Sequence, residues 1–157
     1  MAKVAVIIPA YNAAGSIERT VRNVLDQSLR DIEVWVTDDG SRDATGEILD
    51  RLCAEDCRLH VIHQENCGAY QARLVALRQI TTPYFGFVDA DDETEPQMFE
   101  RLLSVAENHG LDVVQCQVWG RTSEKVGLEI VDEDCVGEKV VGRYLLDVKE
   151  SCFIWDK

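Results

Sequence analysis

Val4 to Ile8 is an unbroken apolar, mostly β-branched run stopped by Pro9, the pattern of a strand buried on both faces. After the loop 10–15, Ser16 is placed to cap a helix. Its apolar face would be Ile17, Val21, Val24 and Leu25, with Ser28 at its margin. Ile32 to Thr37 reads as a second strand and runs into Asp38-Asp39-Gly40-Ser41. A second helix is expected to bury Ile48, Leu49, Leu52 and Cys53. Leu59 to Ile62 makes a third strand, and a helix from about Ala69 to Ile80 follows. Thr81-Thr82-Pro83 breaks it, and Tyr84 to Val88 is the fourth strand. Pro96 opens a helix with Met98, Leu102, Leu103 and Ala106 inward, ending near Gly110. Asp112 to Trp119 reads as a further strand. Beyond Gly120 the pattern weakens into polar residues, a short helix at Val140 to Leu146 and a final apolar run, Cys152 to Trp155.

Four alternations of strand and amphipathic helix predict an α/β fold with a mainly parallel sheet flanked by helices. A chain of 157 residues fits one domain, burying roughly two-thirds of its unfolded surface. Residues 1–120 carry the regular pattern, and 121–157 read as the start of a further region of the same domain.

Charge narrows the partners. Acidic residues outnumber basic ones 29 to 16, for a formal charge of −13. With no basic stripe for a phosphate backbone, nucleic acid is not an expected partner. No apolar run reaches the ~20 residues needed to cross a bilayer, so a membrane segment is not expected. None of the six cysteines forms a Cys-x-x-Cys pair, and no leader-like segment precedes them. Reduced thiols in a cytoplasmic protein are the expectation, with peripheral attachment to the inner membrane face as an option for a longer form. Cys53 and Cys57 would share one helix. His60, His63 and His109 have no partner nearby in sequence and read as structural.

The segment from Phe85 to Asp92 is chemically the most pointed. An apolar run ends in Asp89-Ala90-Asp91-Asp92, three carboxylates in four residues. Such a cluster repels itself unless neutralised, and Mg²⁺ or Mn²⁺ takes oxygen ligands, commonly one or two carboxylates plus substrate phosphates. Two further polar loops, Tyr11-Asn12 and Asp38-Asp39-Gly40-Ser41, follow strands one and two. Right-handed crossovers in a parallel sheet bring these strand ends to one edge, where ligands of this fold class bind.

Val-Ile-Ile-Pro-Ala-Tyr-Asn (6–12), Asp-Asp-Gly-Ser (38–41), Asn-x-Gly-x-x-x-Ala-Arg (66–73) and Asp-Ala-Asp-Asp (89–92) occur in this order. The set resembles the family 2 glycosyltransferases over about residues 3–120. The resemblance implies the GT-A architecture, a Rossmann-like nucleotide-diphospho-sugar transferase fold. It places Pro9, Ala10, Tyr11 and Asn12 around the nucleobase, with Tyr11 able to stack on it. It gives Asp39 the role of accepting from uracil N3–H, while Asp38 orients the loop. A carboxylate only accepts, so it matches an imide N–H and disfavours cytosine. Gly68 and Arg73 fall near base and diphosphate, where a planar guanidinium suits the task. Asp89, Ala90 and Asp91 correspond to the Asp-x-Asp motif. Asp91 would ligate Mn²⁺ or Mg²⁺ directly, and Asp89 would touch ribose or metal-bound water.

The implied activity is metal-assisted, inverting transfer of a sugar from a UDP-sugar to a saccharide or lipid-linked acceptor hydroxyl, in bacterial cell-envelope polysaccharide biosynthesis. Inversion needs a general base, which the family supplies far downstream of Asp-x-Asp. Glu133 and Asp134 come too early for it. Residues 151–157 resemble the segment before that base, so the chain is expected to be a truncated, donor-binding part whose base lies beyond Lys157. Two alternatives stand beside this reading. One is a nucleotidyltransferase, although the expected Gly-rich basic loop after strand one is missing. The other is a non-catalytic nucleotide-sugar-binding module that docks a partner through its apolar tail.

Overall fold

The computed structural model describes residues 1–117 and 151–156. Six strands and four helices follow in the order β1 (Val4–Ala10), α1 (Ile17–Leu25), β2 (Ile32–Asp39), α2 (Thr45–Glu55), β3 (Leu59–Gln64), α3 (Ala69–Leu77), β4 (Tyr84–Phe87), α4 (Met98–His109), β5 (Val113–Gln117) and β6 (Ser151–Asp156). The sheet order is β3-β2-β1-β4-β6-β5. Strands β1 to β4 pair in parallel, as the alternating pattern predicts, and β6 runs antiparallel to both β4 and β5. The expected helix at 140–146 lies outside the described residues.

β1 is central and wholly buried. Its even residues Val4, Val6 and Ile8 pack with Ile17, Val21 and Val24 of α1, Leu49 and Leu52 of α2, and Phe99 and Leu102 of α4. Its odd residues Ala5 and Ile7 face the other side, where Ala76 and Ile80 cover them. Three helices therefore line one face and α3 the other. Pro9 is tolerated because pairing with β4 ends at Ile7–Phe87, so its missing N–H breaks no bond there.

Several local expectations change. Ser16 stands at the first cap of α1, but its hydroxyl makes no capping bond. The helix ends at Leu25, so Ser28 is not on its face; instead the Ser28 N–H donates to the Pro96 carbonyl at 2.8 Å. α2 ends at Glu55, which leaves Cys57 beyond the helix that carries Cys53. Pro96 precedes α4 rather than opening it. The largest difference is the final apolar run. Read as a tail, it is a strand bonded on both sides, with Phe85 opposite Trp155 and Cys116 opposite Cys152. Pairing on both edges satisfies backbone groups that a free tail would leave to water.

Candidate functional site

Chain direction sets the site. The chain steps outward from β1 to β2 to β3, then returns to the other side of β1 as β4. Right-handed crossovers require the returning helix, α3, to lie on the opposite face from α1 and α2. The loops after β1 and β4 consequently diverge, and the crevice between them is where open α/β sheets take ligands. The loops from all of β1, β2, β3 and β4 end on this edge.

The β1–α1 and β2–α2 loops are laced together. Asn12 adopts φ 49°, a conformation asparagine tolerates better than most residues. Its N–H donates to Ser41 Oγ at 2.9 Å, and its side-chain oxygen accepts from the Arg42 N–H at 2.8 Å. The Ala13 N–H donates to Thr45 Oγ1 and the Ala14 N–H to Asp43. Asn12 thus serves as a loop tie. Pro9 and Ala10 are buried inside the strand, whereas Tyr11 is 48% exposed beside them.

Asp38 and Asp39 divide their work. Asp38 accepts from the Ser41 N–H at 3.1 Å and closes its own turn. Asp39 is buried, and its Oδ1 accepts from Gln64 Nε2 at 2.6 Å and from the Cys67 N–H at 2.8 Å. Its Oδ2 accepts from the Gly68 N–H at 2.8 Å, which leaves acceptor capacity on that oxygen. Burial alone would push this carboxyl up, but the donors of Cys67, Gln64 and Gly68 outweigh it and hold the pKa below the usual range. Gly40 lies against the same loop at φ +72°, and a Cβ there would come within 2.7 Å of the Asn66 nitrogen. Only glycine permits that approach.

Gly68, at φ +88°, leads into α3, which carries Arg73 one turn later. The guanidinium lies 5.7 Å from the centre of the Phe87 ring, and Nη2 donates to Asp89 Oδ1 at 2.5 Å. A helix on one face thereby delivers a cation to the end of β4. Asp91 is exposed next to it, and Ala90 packs against the core. Burial is the main cause that pushes the Asp92 carboxyl up, and the two neighbouring carboxylates, Asp89 and Asp91, add to it.

Among the described residues no three His, Cys, Asp or Glu side chains converge as a metal cage. The donor set nevertheless fits a hard divalent ion of the Mg²⁺ or Mn²⁺ type, which needs one or two carboxylates and completes its shell with water and phosphate. Asp91 and Asp89 are the carboxylates that could supply those oxygens.

The structure brings Tyr11, Asp39, Gly68, Arg73, Asp89 and Asp91 to one sheet edge. Glu133 and Asp134 lie outside the described residues. Two features have no counterpart in the sequence reading. His63 has two partners, Asp38 Oδ2 at 3.1 Å from Nδ1 and Asp50 Oδ1 at 3.0 Å from Nε2. His60 stacks on Trp35. The only sequence signal for the His63 bridge is an acidic residue on each neighbouring element, too common a pattern to single out.

Comparison with known proteins agrees with this geometry. The profile described as Glycosyl transferase family 2 matches residues 5–146. The uncharacterized glycosyltransferase EpsJ of Bacillus subtilis (strain 168) is 34% identical over 155 residues, which are 97% of this chain and 45% of EpsJ. S. aureus TarS, solved also with UDP and with UDP-GlcNAc, superposes with a TM-score of 0.71 at 28% identity, over 80% of this chain and 38% of TarS residues 1–349. The mannosyltransferase PcManGT of Pyrobaculum calidifontis, in complex with GDP-Man and Mn²⁺, gives 0.69 at 26% identity over 74% of this chain and 36% of that one. The chain spans less than half the length of each. Its sheet and flanking helices are those of the GT-A enzymes, and the chain belongs to glycosyl transferase family 2.

Proposed function

We propose that this chain binds the nucleoside diphosphate of a UDP-sugar across the β1/β4 crevice, as the donor half of an inverting transfer to a hydroxyl of a saccharide or lipid-linked acceptor. The Arg73–Asp89 pair beside exposed Asp91 carries the reading. It sets a guanidinium from α3 beside hard oxygen ligands at the end of β4, matching a diphosphate and its counter-ion. The complexes of TarS with UDP and UDP-GlcNAc, and of PcManGT with Mn²⁺, support it. Tyr11 offers an aromatic face to the base. The remaining acceptor site of Asp39 Oδ2 suits an imide N–H. Arg73 faces the phosphates, and Asp91 and Asp89 would hold Mn²⁺ or Mg²⁺. A divalent ion bound there supplies Lewis-acid stabilisation of the charge that develops on the departing β-phosphate. The general base is not among these residues. GDP is the competing nucleotide, favoured by the PcManGT complex with GDP-Man, because guanine N1–H presents the same kind of donor.

Calorimetry with UDP, GDP and CDP, with Mn²⁺ or with chelator, tests the proposal. The expected order is UDP above CDP, with tighter binding in Mn²⁺. Asp91→Asn should abolish the Mn²⁺ gain and leave the melting temperature equal or slightly raised, since one of the crowded charges is gone. Equal affinity in chelator removes the metal role, and a preference for CDP overturns the role of Asp39. Tighter binding of GDP than UDP shifts the donor class.

A further inference from the structure

The loop that follows the acidic cluster has little regular structure, yet several of its carbonyls accept from side chains of α1 and the turn that follows it. Thr20 Oγ1 lies 3.0 Å from both the Ala90 and the Asp92 carbonyl oxygens. Asn23 Nδ2 donates to the Thr94 carbonyl at 3.1 Å, while its oxygen accepts from the Thr94 N–H at 2.6 Å. Gln27, fully buried, donates to Thr94 Oγ1 at 3.0 Å and the Glu95 carbonyl at 2.7 Å, and accepts from the Phe99 N–H at 3.2 Å. Thr20 and Asn23 lie one turn apart on α1, and Gln27 follows just past its last residue, Leu25, so the three polar side chains continue one stripe from the helix into its exit turn. The stripe does for the loop what a neighbouring strand would do for a strand.

We infer that Thr20 is a positioning residue for cation and diphosphate binding, acting through the backbone on either side of Asp91; this rests on the function proposed above. Asn23 and Gln27 fix the far end of the loop, at residues 94 to 99. Thr20 alone, among the three, touches the acidic end. Its hydroxyl has one proton, shared between the two carbonyls that bracket Asp91. With both carbonyls held against α1, the Asp91 side chain is left on the solvent side, where it is exposed. The Asp91 carbonyl itself accepts from the exposed Arg19 guanidinium at 3.3 Å, so loss of the Thr20 contact loosens the buried side of the peptide groups that aim Asp91, without removing any ligand.

The test is titration of the full chain with UDP, in Mn²⁺ and in chelator, comparing Thr20→Val and Thr20→Ser with the unaltered protein. Thr20→Val should lose about tenfold in affinity with Mn²⁺, the scale of one hydrogen bond, and nothing in chelator. Thr20→Ser should restore it. Amide hydrogen exchange in residues 89–95 should quicken in the valine variant alone. Equal losses in both conditions would mean a general structural role and overturn the inference, as would no loss in either. If the unaltered chain gains nothing from Mn²⁺, the proposed function falls and this inference with it. An unchanged Thr20→Val on a metal-responsive chain sinks the inference only. Should valine prevent folding, Thr20→Cys, a weaker donor of similar size, takes its place with the same expected split.

Discussion

At the scale of single residues, the sheet edge is built from polar groups whose partners are backbone donors from the next loop. Asp39 shows why this matters. Its carboxylate holds the Cys67 and Gly68 amides, so Asp39→Asn would turn a donor toward donors and loosen the loop, and with it the nucleobase contact proposed above. Thr37 is the opposite case. It is fully buried in β2, and its hydroxyl has no hydrogen-bond partner among the described residues. An unpaired buried hydroxyl costs about 1–3 kcal/mol, while valine keeps the shape and the strand-compatible branching. Thr37→Val is therefore expected to leave the melting temperature unchanged or raise it by a few degrees. A fall of several degrees would mean that the hydroxyl is satisfied, for instance by a buried water. Single residues were also the most legible level of the sequence. Tyr11, Asp39, Arg73 and Asp89 stand out as candidates by chemical type and by motif order. What each would bond was not legible, because Gln64, Cys67 and Gly68 reach Asp39 only once β2 and β3 lie side by side.

Among elements, the strands and helices followed their periodicity, because apolar spacing is a local property. The contacts between elements did not. The polar stripe of α1 and its exit turn is hidden in sequence by threonine, asparagine and glutamine, which are equally at home on a solvated face. His63 is similar: it joins β3 to β2 through Asp38 and to α2 through Asp50. The Asp50 carboxylate raises its pKa above the ordinary histidine value, burial pushes it back, and Asp38 adds to the rise. A raised folded pKa contributes stability that is fully present below the unfolded value of about 6.5 and is lost as pH rises through the folded value. The melting temperature of His63→Gln should thus fall furthest below the parent in mildly acidic buffer, and the gap should close above neutrality. The gap will be modest because the imidazole is 46% exposed. A difference independent of pH would show that packing, not charge, is what the histidine supplies.

For the whole molecule, the sheet is the unit of stability and β6 is its least predictable member. A short apolar run at the end of a polar stretch gives no sign of which edge it will join. The structure inserts it between β4 and β5, and removing residues 151–157 leaves both neighbours with an open edge. Such a shortened chain is expected to melt well below the parent and to self-associate, since unpaired strand edges recruit other chains. A melting temperature within a degree of the parent, with a monomeric profile on a sizing column, would show that the four parallel strands suffice. Among the described residues no helix is long and apolar enough to cross a membrane.

The place of β6 also bears on how the molecule comes to exist. A ribosome releases the chain from its first residue onward, and early segments begin folding before late ones emerge. All four parallel strands and the loops that make up the crevice lie within the first 92 residues. β5 follows soon after them, yet its partner strand is Ser151–Asp156. β5 must wait for that strand to arrive, and β4 waits with one edge bare. During synthesis the crevice can therefore form while the sheet beside it is still open, and the nucleotide proposed above, entering then, would hold a half-built protein in its native register.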